Sequence, residues 1–392
     1  MGEDSYTGNL YQRFPVTVER ARGALVWDES GREYIDMMGG YGVAVVGHCN
    51  DMVVGAIREQ AGRVITVHSS LYSRTREAFL ETLAEVAPAG LTGIHLNNSG
   101  AESVEAAIKF SRKYTSKKGM VAMRGSYHGK SMGALSLTFN PKYRKPFSPL
   151  LEGVSFAGFG DIDSVRDHIT GETGMIIVEP VQGESGIHVA PDGFLRELRE
   201  LCDERDILLA FDEVQSGLGR TGRMWAASHW DVIPDIMCVA KGVAGGIPLG
   251  ATLTRPEILS RISKGEHSST FGGNPLSCAA GKAALDSIAR DDLAGNAGRV
   301  GSHMMSELNK MAGRHRIIRE VRGLGLMIGV DLRFEVRDIL HDLIGRGVLM
   351  LYSGRNVLRM LPPLVLSMEQ ADAVLERLEG ALRSEEERRN VR

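Results

Sequence analysis

Residues 235–251 read DIMCVAKGVAGGIPLGA, which places one lysine between an apolar run and a series of glycines. Lys241 is the only charged residue from Ile236 through Ala251. An unpaired ammonium is costly to bury, so Lys241 either reaches water or does not carry an ordinary ammonium. The short apolar run before it is typical of a buried strand. The pattern therefore puts Lys241 at the end of that strand.

Two other apolar runs end in the same way. Glu179 follows MIIV, and Asp212 follows ILLAF. Longer amphipathic stretches such as DGFLRELRELCDER separate these runs, and this alternation predicts an α/β fold with a mainly parallel sheet wrapped by helices. Ligands of such sheets bind outside the carboxyl ends of the strands. We therefore expect Glu179, Asp212 and Lys241 to face one crevice.

Composition and charge exclude several classes of protein. The chain has 392 residues, of which 43% are hydrophobic and 24% charged, as in globular proteins with more than one lobe. A net charge of −3 does not favour nucleic-acid or membrane binding. No apolar run approaches the ~20 residues that span a bilayer, and the polar start lacks a signal-peptide pattern, so we expect a cytoplasmic protein. Four widely separated cysteines without a CxxC pair predict no metal site.

The pattern of predicted helices and strands changes along the chain. Residues 1–49 contain a hairpin pattern and are expected to join the smaller domain, and residues 50–294 form the large α/β domain. Residues 295–392 alternate longer helical patterns with short strands, which predicts a smaller α+β domain. Its last helix is expected to begin with a capping box formed by Ser367 and Gln370.

The segment NNSGAESVEAAIK, residues 97–109, predicts an anion site. Ser99 and Glu102 have the spacing of a capping box before an amphipathic helix. Gly100 and Ala101 then lie in the first turn, where N–H groups have no helical acceptor and little side chain covers them. A phosphate-sized anion fits such a helix start.

The segment GLGRTG, residues 217–222, is a competing signal because it matches the dinucleotide fingerprint GxGxxG. That fingerprint requires an acidic residue about 20 positions further on, at the end of the next strand. The region contains Lys241 instead, and the glycines lead into RMWAASHW rather than an apolar helix start. The motif therefore does not favour a nicotinamide cofactor.

A lysine, a neighbouring acid and a phosphate-sized helix start together suit pyridoxal phosphate. Lys241 would be held as a Schiff base, so that no bare ammonium is buried, and the glycines after it would let the backbone pass close to the cofactor. Asp212 would pair with the pyridine nitrogen and keep it protonated. Gly100 and Ala101 would hold the phosphate. Released Lys241, with a lowered pKa, would move the proton between Cα and C4′.

Eight segments carry a resemblance that covers nearly the whole chain. In order they are NNSGAESVEAAIK, YHGK, EPVQGESG, FDEVQSGLGRTG, PDIMCVAKG, HSSTFGGNP, VRGLGLMIG and VLRMLPPL. In these segments the chain resembles the class III, ornithine-type aminotransferases of fold type I. The resemblance implies a seven-stranded, mainly parallel sheet, a smaller α+β domain and pyridoxal phosphate as cofactor.

The resemblance also implies roles for individual residues. Tyr127 matches the aromatic residue that stacks on the cofactor ring, and Gln215 matches a residue near its phenolic oxygen. Thr270 matches a threonine that reaches a phosphate across the subunit interface, which implies a homodimer, and Ser269 matches a substrate contact. The complete expected cofactor set is Gly100, Ala101, Tyr127, Asp212, Glu213, Val214, Gln215, Lys241 and Thr270.

Glu184 and Arg359 match a pair that switches between substrates. The arginine binds the α-carboxylate of glutamate or 2-oxoglutarate, and the glutamate side chain neutralises it when the other substrate is bound. A guanidinium can bind a carboxylate through two parallel hydrogen bonds. Acetylornithine aminotransferases have FHGR where this chain has YHGK, so Lys130 stands in place of the arginine that grips the acylated substrate.

Several amine substrates remain open. TFNPKYRKPFSPLLEGVSF and SGRNVLRMLPPLVL look most like compact aminotransferases that act on aminoadipate or glutamate semialdehyde linked to the acidic carrier LysW, in lysine and arginine biosynthesis. Acetylornithine, putrescine and 4-aminobutyrate are alternatives, and an aminomutase is the alternative that is not a transaminase. An acidic carrier would dock on local positive charge. The candidate basic residues are Lys142, Arg144, Lys145, Arg261 and Lys264.

Overall fold

The computed structural model describes residues 3–391. The strands are β1 (Val18–Arg22), β2 (Leu25–Asp28), β3 (Glu33–Asp36), β4 (Gly93–Asn97), β5 (Gly119–Met123), β6 (Val154–Ala157), β7 (Thr173–Val178), β8 (Val181–Gln182), β9 (His188–Val189), β10 (Leu208–Asp212), β11 (Ile236–Val239), β12 (Gly250–Thr254), β13 (Ile318–Leu324), β14 (Met327–Leu332), β15 (Val348–Leu349), β16 (Leu351–Ser353) and β17 (Val357–Met360).

The helices alternate with these strands through the middle of the chain. They are α1 (Asp4–Thr7), α2 (Gly39–Gly42), α3 (Asp51–Ala61), α4 (Arg74–Val86), α5 (Gly100–Thr115), α6 (Met132–Leu137), α7 (Pro141–Arg144), α8 (Ile162–His168), α9 (Phe194–Arg205), α10 (Pro256–Leu259), α11 (Pro275–Arg290), α12 (Leu293–Arg314), α13 (Arg337–Gly345) and α14 (Met368–Arg389). No helix within residues 3–391 is both long and apolar enough to cross a bilayer.

A seven-stranded sheet in the order β4-β12-β11-β10-β7-β5-β6 forms the centre of the large domain. The strands from β11 to β6 run parallel, and β12 is antiparallel to both of its neighbours. Every residue of β5, β7, β10 and β11 is buried, which explains why these strands are continuous apolar runs. The predicted mainly parallel sheet is confirmed.

The register of three neighbouring strands places their carboxyl ends together. Phe211 pairs with Val178 across β10 and β7, and Asp212 pairs with Cys238 across β10 and β11. Glu179 follows β7 directly, and Lys241 begins a short 3₁₀ segment just after β11. The three strand-end residues therefore lie at one edge of the sheet, as expected.

The C-terminal part contains a second, antiparallel sheet in the order β13-β14-β17-β16, against which α12 packs. The predicted capping box at the start of α14 is confirmed: Ser367 Oγ accepts the Gln370 N–H at 3.2 Å, and Gln370 Oε1 accepts the Ser367 N–H at 3.0 Å. This box leaves fewer unpaired donors at the helix start.

The N-terminal strands lie against the C-terminal part of the chain. The predicted hairpin is formed by β2 and β3, and β3 also pairs in parallel with β15. Because of this pairing, we propose that residues 1–49 and 295–392 form one unit and that residues 50–294 form the other. Helix α12 begins at Leu293, so the second boundary falls within its first turn.

Candidate active site

Lys241 lies at the centre of a group of ionisable side chains at the carboxyl edge of the sheet. Its side chain is half-buried, and burial lowers the pKa of its ammonium. Glu184, Arg359, Asp212 and Glu179 are close enough to act on this pKa as well. Lys241 is thus near carboxylates from two strand ends and near the expected substrate pair.

Asp212 is held in the crevice by two hydrogen bonds. Its Oδ2 lies 2.7 Å from Nδ1 of His128, and its Oδ1 accepts the Val214 N–H at 3.0 Å. Burial acts to lower the pKa of His128, but Asp212 and Glu179 outweigh it and raise the pKa. A carboxylate oxygen has two lone pairs, so Asp212 can still accept a hydrogen bond from a protonated ring nitrogen.

Sequence reasoning assigned no role to His128, although it lies inside the quoted YHGK segment. The side chain of His128 is fully buried, and the hydroxyl of Thr138 accepts its backbone N–H at 2.9 Å. A histidine beside the stacking aromatic residue is the signal that could have identified it. Its partner Asp212 is distant in sequence, so only the fold reveals the contact.

Glu179 is a second residue with no assigned role. Its Oε1 accepts the N–H of Tyr127 at 2.9 Å, and its Oε2 accepts the N–H of Gly183 at 3.2 Å. Burial raises the pKa of Glu179 to about 7, although His128 acts to lower it. The carboxyl group joins the loop after β5, which contains Tyr127, to the loop after β8, which contains Gly183.

The capping pattern at the start of α5 differs by one residue from the predicted box. Ser99 Oγ accepts the Glu102 N–H at 3.2 Å, as expected. The Glu102 carboxylate, however, accepts the N–H of Asn98 at 2.6 Å rather than that of Ser99. The chain enters the helix from an extended Ser99, and this brings the Asn98 N–H within reach of the side chain.

Gly100 allows the start of α5 to lie against the loop that follows Asp212. A Cβ at Gly100 would lie 2.7 Å from Cγ1 of Val214, a distance that requires one of them to move. The N–H groups of Gly100 and Ala101 are in the first helical turn and have no helical acceptor. The start of α5, where we expect a phosphate, therefore lies beside the loop that follows Asp212.

The glycine after Lys241 allows a close approach of the N-terminal segment. A Cβ at Gly242 would lie 2.3 Å from Cγ2 of Val45, and the expected approach of this backbone to a cofactor stays a prediction. The expectation for Glu213 also finds no support in its side-chain contacts. Its carboxyl group is fully buried and accepts hydrogen bonds from Ser216 Oγ and from the N–H groups of residues 226 and 227.

Glu184 and Arg359 form an ion pair in which the arginine is buried and the glutamate is partly exposed. Glu184 Oε1 lies 2.6 Å from Arg359 Nη1, and only 1% of the arginine side chain is exposed. Burial acts to raise the pKa of Glu184, but Arg359, followed by Lys241 and Lys130, outweighs it and lowers the pKa. The guanidinium also lies 5.5 Å from the ring centroid of Tyr41. The two residues expected to form a switch are therefore in direct contact.

Three further side chains, those of Tyr127, Tyr143 and Lys130, lie near the Glu184–Arg359 pair. The rings of Tyr127 and Tyr143 meet edge to face, with centroids 6.1 Å apart, and burial raises the pKa of Tyr127 to about 12. The Nζ atom of Lys130 lies 4.8 Å from the ring centroid of Tyr143. Lys130 is exposed, so it can meet a charged group on a substrate that enters past the two tyrosines.

Ser269 and Thr270 lie beside the start of α5. Ser269 Oγ accepts hydrogen bonds from Asn98 Nδ2 at 3.1 Å and from the Gly272 N–H at 3.0 Å. Thr270 is exposed, and among the described residues no hydrogen bond joins it to the Lys241 group. The expected role of Thr270, a contact with a phosphate across a subunit interface, stays a prediction.

The residues of the crevice fit pyridoxal phosphate. Gln215 Oε1 is buried and has no hydrogen-bond partner within residues 3–391, so it can accept a hydrogen bond from a ligand hydroxyl. The first turn of α5 offers N–H donors to a phosphate, and Asp212 offers a carboxylate to a ring nitrogen. Burial lowers the pKa of Lys241, which favours the uncharged amine that can bond to an aldehyde.

Comparisons with known proteins agree with this geometry. The family model Aminotransferase class-III matches residues 6–382. The chain is 45% identical to an acetylornithine aminotransferase of Methanopyrus kandleri over 97% of this chain and 98% of that protein. It is 43% identical to a [LysW]-aminoadipate semialdehyde transaminase of Deinococcus radiodurans, over 97% and 89% of the two chains.

A solved structure gives the same result for the fold and the cofactor. The ornithine aminotransferase of Toxoplasma gondii, whose crystals show partial occupancy of PLP at the active site, superposes with a TM-score of 0.96. The two chains are 30% identical, with 99% of this chain and 94% of the other covered. The protein described here therefore belongs to the class III aminotransferases, and its cofactor is pyridoxal phosphate.

Proposed function

We propose that this enzyme transfers an amino group between glutamate or 2-oxoglutarate and the terminal carbon of a carrier-linked or N-acylated semialdehyde. The ion pair between Glu184 and Arg359 carries the proposal, because it lies near Lys241 and its arginine is buried. A pocket that must accept both a dicarboxylate and a terminal amine needs an arginine that can be exposed for one substrate and neutralised for the other.

The cofactor is proposed to lie between β10, β11 and the start of α5. Asp212 would receive its ring nitrogen, Tyr127 would stack on the ring, and Gly100 and Ala101 would bind the phosphate. Val214 and Gln215 would contact the ring, with Gln215 at the phenolic oxygen. When bound, pyridoxal phosphate supplies an aldehyde that carries the amino group and a ring that accepts electrons from the broken C–H bond.

The protein's own groups then control proton movement and substrate choice. The lowered pKa of Lys241 suits it to remove a proton from the carbon that bears the amino group and to deliver it to C4′, the carbon of the cofactor's aldehyde group. Asp212 keeps the ring nitrogen protonated, and His128 orients Asp212. Arg359 binds the glutamate α-carboxylate once Glu184 has moved away, and Glu184 closes on Arg359 when the amine substrate is bound.

Lys130 is the proposed contact for a carboxylate on the acylated end of the amine substrate, and Ser269 is a further substrate contact. The aromatic ring of Tyr143 supports the Lys130 ammonium. A lysine binds a carboxylate without the fork of an arginine, so orientation by this residue is weaker than in enzymes with FHGR. The substrate must therefore be oriented in part by contacts elsewhere, which suits a substrate attached to a carrier.

A LysW-type carrier is proposed on two grounds. One relative, 43% identical, is named as a [LysW]-aminoadipate semialdehyde transaminase. In addition, Lys142 and Lys145 are exposed next to Tyr143, on the segment that borders the crevice. Arg144 is a weaker candidate than expected because its guanidinium lies 4.6 Å from the ring centroid of Phe156 and is partly buried.

A homodimer is proposed from the exposed apolar residues near Thr270. Leu71 is 62%, Tyr72 106% and Phe271 64% exposed. Arg76 holds the two segments together, since its guanidinium donates to the carbonyl groups of Leu71 and Gly273. Large exposed apolar groups on adjoining segments are typical of a protein interface. A second copy of the chain would bring its Thr270 to the phosphate.

A panel of amine donors tests the substrate assignment, with 2-oxoglutarate as acceptor and glutamate formation as the measurement. The donors are carrier-linked lysine, N-acetylornithine, putrescine and 4-aminobutyrate, and Lys241→Ala is the inactive control. We expect the highest kcat/KM with the carrier-linked or acetylated donor. A clear preference for putrescine or 4-aminobutyrate would overturn the substrate proposal, and isomerisation of the donor without 2-oxoglutarate would indicate an aminomutase.

A further inference from the structure

Glu179 is a buried carboxyl group that connects two functional loops. Only 6% of the residue is exposed, and each carboxyl oxygen accepts one backbone N–H. Oε1 accepts from Tyr127 at 2.9 Å, and Oε2 accepts from Gly183 at 3.2 Å. Because the backbone of both loops is hydrogen-bonded to the same side chain, a displacement of one loop is transmitted to the other.

The two loops present different parts of the site. The first carries Tyr127, which faces the proposed cofactor plane, and the second carries Glu184, the partner of Arg359. The carbonyl of Gly183 also accepts a hydrogen bond from Arg359 Nη1 at 3.3 Å, so the residue whose N–H is held by Glu179 also contacts the arginine through its carbonyl. Glu179 therefore connects the cofactor side of the crevice to the substrate pair.

Two other hydrogen bonds support these loops. Gln182 Nε2 donates to the carbonyl of Arg124 at 2.9 Å, which joins the two loops directly. Ser353 lies in β16 of the antiparallel sheet, and its Oγ donates a hydrogen bond to the carbonyl of Glu184. The loop thus has support besides Glu179, and removal of one Glu179 hydrogen bond is expected to loosen Glu184 without unfolding the loop.

We propose that Glu179 is a positioning residue that holds Glu184 in the conformation that closes on Arg359 and thereby sets the preference between the amine substrate and glutamate. The proposal rests on the proposed function, because it assumes that Glu184 closes on Arg359 in the amine half-reaction. If the closed pair is weakened, Arg359 is more available to glutamate and less well neutralised for the amine. The preference then moves toward glutamate.

The test compares the two half-reactions of the holoenzyme in single-turnover experiments. Glutamate and N-acetylornithine are mixed separately with wild type and with Glu179→Gln, and the cofactor absorbance gives a rate constant and a dissociation constant for each. The Gln oxygen can accept only one of the two N–H groups well. We expect the ratio of efficiencies, acetylornithine over glutamate, to fall about fivefold to tenfold, the effect of about one lost hydrogen bond of ordinary strength.

Asp235→Asn is the matched control. Asp235 is also a buried carboxylate on this sheet and accepts the Leu209 N–H at 2.7 Å, but it precedes β11 and lies at the opposite edge. Its replacement should lower the unfolding temperature and leave the ratio of the two half-reactions unchanged. If Glu179→Gln does not accumulate as folded protein, Glu179→Asp is measured in the same way, because its shorter carboxylate cannot reach both N–H groups.

The possible outcomes separate the inference from the proposed function. A wild-type enzyme that does not react with glutamate overturns both. A wild type that reacts with both donors, together with a variant whose two half-reactions fall by the same factor, overturns the inference alone. A shift of the ratio toward glutamate that is absent from Asp235→Asn supports it.

Discussion

His128 Nδ1 lies 2.7 Å from Asp212 Oδ2, and neither side chain is more than 5% exposed. In a site from which water is excluded, a carboxylate without this partner loses both orientation and part of its stabilisation. The pair therefore sets the direction from which Asp212 can meet a ring nitrogen.

Replacement of His128 should lower activity, and the loss should be smaller when the new side chain can still donate a hydrogen bond to Asp212. We expect His128→Leu to reduce kcat/KM by about 10- to 100-fold, since a buried charged acceptor is left unsatisfied. His128→Asn keeps an N–H donor near the position of Nδ1 and should lose less. Steady-state kinetics and titration with the cofactor measure both variants. Equal losses in the two variants would contradict an orienting role for the hydrogen bond.

Arg359→Lys should weaken glutamate binding selectively. A lysine keeps the charge but loses the paired hydrogen bonds, so we expect the glutamate KM to rise about 10- to 100-fold, with a much smaller effect on the amine half-reaction. Arg199→Lys is the control, because Arg199 also pairs with a buried carboxylate, that of Asp235, at the other edge of the sheet. A similar loss for glutamate and amine would show that Arg359 does not discriminate between them.

The proposed dimer interface can be tested through cofactor affinity. We expect Tyr72→Asp to yield monomers in sedimentation velocity and to weaken cofactor binding, because Thr270 from the second copy is lost. Thr270→Ala should leave the dimer intact and weaken cofactor binding about tenfold, the effect of one hydrogen bond to a charged group. A monomeric Tyr72→Asp protein with unchanged cofactor affinity would mean that the phosphate site is complete within one chain.

Charge reversal at Lys142 and Lys145 tests carrier docking. The double change to glutamate should slow the reaction with carrier-linked substrate about tenfold at low salt, with a smaller effect at high salt, and spare free acetylornithine. Arg144 is left unchanged because it packs on Phe156. The same reversal at Arg261 and Lys264 examines the other exposed basic pair. Equal loss on both substrates would refute docking at Lys142 and Lys145.

Glu213 should make stability depend on pH. Burial raises its pKa from 4.5 to about 7, so the stabilisation from its proton is complete below about pH 4.5 and is lost as the pH rises through 7. Glu213→Gln resembles the protonated form at every pH. Relative to wild type, its free energy of unfolding should therefore improve from pH 5 to pH 8, by at most about 3 kcal/mol. A difference independent of pH in urea unfolding would show that Glu213 is ionised throughout.

Much of the candidate site could be predicted from local sequence patterns. The positions of Glu179, Asp212 and Lys241 follow from apolar runs that end in an ionisable residue, because parallel strands share one carboxyl edge. The start of α5 at Gly100, capped by Ser99, follows from the local pattern in the same way. Both predictions depend on spacing along the chain and on the geometry of single elements.

The structure adds details that spacing along the chain does not decide. Gly242 admits Val45 from the N-terminal segment, and Glu213 turns toward residues 226 and 227 rather than toward the crevice. Glu102 caps Asn98 instead of Ser99 because the conformation before the helix decides which N–H is within reach. None of these contacts has a signature in the local sequence.

The order of apolar and amphipathic segments was sufficient for the α/β class, the crevice edge and the identity of its lysine and aspartate. Those features depend on periodicity and on strand ends, which neighbouring residues specify. Only the folded chain reveals that His128 holds Asp212, that Glu179 joins two loops and that Glu184 closes on Arg359. Such contacts join residues far apart in sequence, and their distances are set by the packing of the sheet, the helices and the C-terminal strands around one crevice.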